Sequence, residues 1–99
     1  MEIAKIRPEL ITDEATFLDA LDSLRDAMNK DRPDSLQYLE HHLLFAEVKY
    51  NYYTHRAASL RTEDSHVYNE VARSYDDSVR LSMNEVLEAR DKLMDFQEK

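Results

Sequence analysis

None of the 99 residues is glycine, and proline occurs only at Pro8 and Pro33. Tight β-turns depend on residues that tolerate positive φ or on proline, and a sheet needs several such turns. A chain without them, 34% of it charged, is predicted to be all-α. Its length suits a single domain, residues 1–99. A chain this short buries a limited share of its apolar surface by itself, so association with a second copy is expected.

The apolar periodicity places three helices at about 13–30, 35–61 and 65–97. Residues 1–11 are ambiguous, because Pro8 interrupts the helical spacing of Ile3, Ile6 and Leu10. Thr12 or Asp13 can cap the first helix, whose apolar stripe is Phe17, Leu21, Leu24 and Met28. Arg32 precedes Pro33 and is steered away from helical dihedrals, and Asp34 or Ser35 can cap the second helix.

The second helix is the most constrained part of the chain. Leu36, Leu39, Leu43, Ala46, Tyr50, Tyr53, Ala57 and Leu60 follow unbroken 3-4 spacing, which is an a/d seam over more than three heptads. On its opposite side Tyr38, His41, Phe45, Val48, Tyr52, His55 and Ser59 repeat with the same period. A helix that is apolar on two opposed faces needs covering twice.

The third helix carries its seam at Tyr68, Ala72, Tyr75, Val79, Ser82, Val86, Ala89, Leu93 and Phe96. Its outward f positions are Glu70, Asp77, Asn84, Asp91 and Glu98, a wet face. The two seams differ by one residue in phase, which places a turn near 61–65 and an antiparallel hairpin around it. A single bent helix over 35–97 is the other solution compatible with the pattern.

The three-helix bundle built on this long hairpin predicts where a partner would sit. A first helix of about 27 Å, turning back from the connection at residue 35, covers the second face of helix 2 only as far as about residue 50. Tyr52, His55 and Ser59 are then left uncovered, continuous with Phe45 and Val48. Tyrosines with a polar tip are favoured at interfaces. These five residues are the expected partner interface, and a two-fold contact there makes a homodimer of six helices.

Chemistry is harder to find. Without cysteine there is no disulfide and no thiolate ligand. Only one glutamate, Glu63, has a histidine three residues later, His66, where di-iron bundles require two such pairs, and no glycine loop cradles a phosphate. No catalytic, cofactor-binding or metal-binding residue is assigned. A net charge of −8 opposes direct binding to nucleic acid. The start of the chain lacks the apolar run of a signal peptide and no run is long enough to span a membrane, so a cytoplasmic location is expected.

Three functions follow. The first is a non-enzymatic helical interaction module acting as a homo-oligomer: a small adaptor, assembly factor or regulator of the kind phages and mobile elements encode. The second is an acidic inhibitor or nucleic-acid mimic that uses the acid row of helix 3. The third rests on Arg61 to His66, RTEDSH, which matches the loose Arg-x(4–6)-His pattern of the HEPN ribonucleases. Eight arginines and four histidines in this length yield about one such match by chance. Thr62 also stands where that family prefers Asn, Asp or His. The pattern carries no resemblance to the family and leaves only the possibility of a dimeric ribonuclease dependent on Arg61 and His66.

Overall fold

In a computed structural model the backbone is described for residues 1–61 and 66–98, and side chains for 1–60 and 70–98. Three α-helices follow two short 3-10 turns: α1 is Glu14–Lys30, α2 Leu36–Arg61 and α3 His66–Glu98. There is no strand among the described residues. Each helix begins and ends within one residue of its predicted bounds, because the signals that set the ends are local. Asp13 accepts the Thr16 backbone N–H at 2.9 Å, and Ser35 accepts that of Tyr38 at 3.1 Å. Both bonds satisfy amide groups that a helix start would otherwise leave unpaired.

α2 is the middle layer. It packs on α3 along one face and on α1 along the other, whereas α1 and α3 share no contact among the described residues. The two predicted apolar faces of α2 are therefore both covered within one chain. The α2–α3 pair is a hairpin: Lys49 Nζ meets Glu85 Oε2 at 2.6 Å, and the Tyr53 and Tyr75 rings lie 6.1 Å apart. The turn expected near 61–65 falls on residues 62–65, which lie outside the described residues.

The two interfaces differ in side-chain size. Between α2 and α3 the most buried seam residues are small: Ala46, Ala57, Ala72, Ser82 and Ala89, with Val86. Small residues let the helix axes approach, and the larger seam residues Leu43, Tyr50, Val79 and Leu93 lie at the edges, half-buried. The buried Ser82 hydroxyl donates to the Ser78 and Val79 carbonyls at 2.7 and 3.0 Å, so it leaves no orphaned donor.

Between α1 and α2 the contact is built from large groups. Phe17, Leu21, Leu24, Val48 and Tyr52 form one cluster with Ile6 and Ile11 of the N-terminal segment. Leu24 and Val48 are completely enclosed, which stabilises the fold by about 1.5–3 kcal/mol each. The segment that was ambiguous in sequence is thus part of the core. Its 3-10 turns, Ile3–Lys5 and Pro8–Leu10, end on Ile6 and Ile11, and both isoleucines are 3% exposed. Pro8 occupies the first position of its turn, where a missing N–H is harmless.

Candidate functional site

The expected partner interface does not survive as a surface. Tyr52 is 5% exposed and Val48 is enclosed, while Phe45 is half-buried under the Arg25 guanidinium at 5.5 Å and the Lys49 ammonium at 4.6 Å. Only His55 and Ser59 remain exposed. The error lies in where α1 starts its overlap with α2. Asp31, just past the end of α1, pairs with His41 at 2.6 Å, six residues beyond Ser35. With the overlap starting there, Phe17, 14 residues before Asp31, lies on Tyr52, 11 residues after His41.

That contact is a parallel stack, with ring centroids 3.9 Å apart and planes inclined by 7°. Tyr53 meets Phe17 edge-on at 5.6 Å and reaches across to Tyr75, joining the two interfaces of α2. Burial pushes the hydroxyls of both Tyr52 and Tyr53 above the usual tyrosine value. The two phenols stay protonated in the fold at a pH where the unfolded chain ionises. Their stabilisation is complete below pH 10 and is lost as pH rises through the raised native values. Urea unfolding between pH 8 and 11 is expected to show a steeper alkaline loss for wild type than for Tyr52→Phe. Parallel profiles would remove Tyr52 from this role.

What stays exposed is a different surface. Met83, Leu87 and Met94 of α3 are 46%, 50% and 57% exposed, and their spacing of four and seven residues puts them on one stripe. The stripe runs beside the α2–α3 seam at the e and b positions, on the flank away from the Lys49–Glu85 ion pair. Arg90 lies within it, also exposed. Across the seam α2 contributes Glu47, Tyr50 and Asn51. Between the two helices is a concavity of about 150 Å³, bounded by these residues with Met83, Leu87 and Arg90. The stripe was legible in sequence as apolar residues at 83, 87 and 94, outside the a/d and f positions that defined the seam and the wet face.

A larger open cleft, about 550 Å³, lies where the C-terminal end of α3 meets the start of α2. Pro33, Tyr38, His42, Lys92 and Phe96 line part of it. Burial, then the nearby Lys92 charge, holds the His42 imidazole below its ordinary value. Asp34 and Asp95 at the same cleft oppose Lys92 in sign. Among the described residues no three His, Asp or Glu side chains are placed to hold a metal ion, and no helix is long and apolar enough to cross a membrane. The side chains of Arg61 and His66 lie outside the described residues.

The f positions behave as predicted: Glu70, Asp77, Asn84, Asp91 and Glu98 are all exposed. Searches of known protein families, of characterised proteins and of solved structures find no match to this chain.

Proposed function

We propose that this protein is a cytoplasmic, non-enzymatic helical interaction module that docks its partner on the open α2–α3 flank. The observation that carries the reading is the Met83, Leu87 and Met94 stripe. Three large apolar side chains lie in line on a helix that also exposes Val71, Leu81 and Phe96, and of the three Met83 and Leu87 line a concavity sized for an inserted side chain. Contiguous exposed apolar surface of this kind is characteristic of protein docking sites. The aromatic cluster is buried within the chain and offers little surface to a partner.

The acid row of α3 is better read as a solvated face than as an imitation of phosphates. It is spread along the whole helix, and Asp77 is already held by Arg80 at 3.0 Å.

The test is site-specific photocrosslinking in the cell that makes the protein. A photoreactive residue at Leu87 is expected to give a discrete covalent adduct, and the same group at Asn84, on the wet face, none. Absence of an adduct at Leu87, or equal adducts at both positions, would refute the docking flank.

A further inference from the structure

Residues 1–11 carry their own backbone hydrogen bonds and borrow none from the helices. Lys5 donates to Glu2, Ile6 to Ile3, Leu10 to Arg7 and Ile11 to Pro8, all inside the segment. The Arg7 guanidinium also turns inward, donating to the Ala4 and Ile6 carbonyls at 3.1 and 3.2 Å. Among the described residues, the polar contacts that leave the segment come from the terminal ammonium. It donates to Ser23 Oγ at 3.2 Å and lies 3.6 Å from Asp19. Elsewhere the attachment is apolar: Ile6 and Ile11 are buried, and Ile3 is partly buried against the same cluster.

The two helices beneath do not need this cover to stay together. Phe17 stacks on Tyr52, and Leu24 and Val48 are completely enclosed. α1 also starts without it, since Asp13 accepts the Thr16 amide at 2.9 Å. The Ile3–Lys5 turn rests on α1 and the Pro8–Leu10 turn on α2, so the segment lies as a strap across both. Its hinge is the exposed Thr12, between two residues of extended backbone, Ile11 (φ −92°, ψ 98°) and Asp13 (φ −103°, ψ 152°). Rotation there frees the strap without breaking a hydrogen bond of α1. We infer that residues 1–11 open as one unit while the three helices stay folded, baring the part of the Phe17–Tyr52 cluster that Ile6 and Ile11 cover. Burial of the isoleucines holds the strap down, and the conformational freedom regained by the segment favours its release. Segments with few bonds to their surroundings are the ones that open below the cost of global unfolding. The apolar cluster around Tyr52 is then a surface only in the open state, with the strap as its cover in the closed one.

The test is native-state hydrogen exchange on the wild-type chain over a series of low urea concentrations. The Ile6 and Ile11 amides, each bonded inside its own turn, are expected to share one protection factor, about tenfold or more below those of Leu24 and Val48. That protection should fall with urea, but less steeply than at Leu24 and Val48, because opening exposes less surface than unfolding. Ile11→Ala should lower the protection of Ile6, in the other turn, by about tenfold or more. Protection and urea dependence equal to those of Leu24 would mean that the strap opens only with the whole chain, and would overturn the inference. So would unequal, urea-independent protection at the two isoleucines, or an Ile6 amide indifferent to Ile11→Ala, since the two turns would then fray separately.

Discussion

Phe17→Ala is expected to remove about 3–5 kcal/mol of folding free energy. Phe17 is 5% exposed and is the only ring on α1, where it stacks on Tyr52 and meets Tyr53 edge-on. Truncation removes the transfer free energy of the ring and leaves a cavity that the neighbouring helices cannot close. The aromatic contact adds about 0.5–1.5 kcal/mol beyond its area. Because α1 makes no close backbone approach to α3 among the described residues, it is held by its interface with α2 and by the N-terminal segment. A domain of this size has about 5–15 kcal/mol in all. The midpoint of thermal unfolding should therefore fall by more than about 12 °C. Phe96→Ala is the matched control, because that ring is 41% exposed at the far end of α3. Equal small losses for the two variants would mean that Phe17 does not pack as described.

The second large effect is expected from the N-terminal segment. Ile6→Ala combined with Ile11→Ala should destabilise by about 4–6 kcal/mol, since each buried isoleucine is worth about 2–5 and the two share the cluster around Tyr52. Leu10→Ala, between them in sequence, should change stability by less than about 0.5 kcal/mol, because Leu10 is 73% exposed. Urea unfolding followed by circular dichroism gives the free energies. Near-ultraviolet signal from the tyrosines reports whether Tyr52 is uncovered in the folded state. If the isoleucine pair and Leu10 behave alike, the segment is not part of the core.

These two sites mark the boundary of what could be read from the chain. The stripe of α1 and its ends at Asp13 and Pro33 follow from neighbours three or four residues apart, and so do the two faces of α2. Such short-range patterns do not depend on how helices dock. The α2–α3 pairing was legible for the same reason, since matching seams on consecutive helices with a turn between them admit few arrangements. The placement of Tyr52 was not. Its burial depends on the sliding offset between α1 and α2, which the Asp31–His41 contact and the path of residues 31–35 set. Periodicity is unchanged by sliding one helix along another, so no pattern of apolar residues reports that offset.

The N-terminal segment shows the same division. Its composition places two isoleucines five residues apart on either side of Pro8, and nothing local distinguishes them from Leu10. Only the groove beside Tyr52 selects Ile6 and Ile11 for burial and leaves Leu10 in water. The sequence by itself determined that the chain is helical, where its helices begin and end, and that α2 has two apolar faces. The tertiary structure decided which residues cover the second face, and hence that the aromatic cluster is closed, while the stripe of Met83, Leu87 and Met94 is among the apolar surfaces left exposed. The physical reason is that helix formation is governed by hydrogen bonds and side-chain spacing within a few turns, whereas coverage depends on the relative translation of distant segments, which close packing resolves only once all of them are in place.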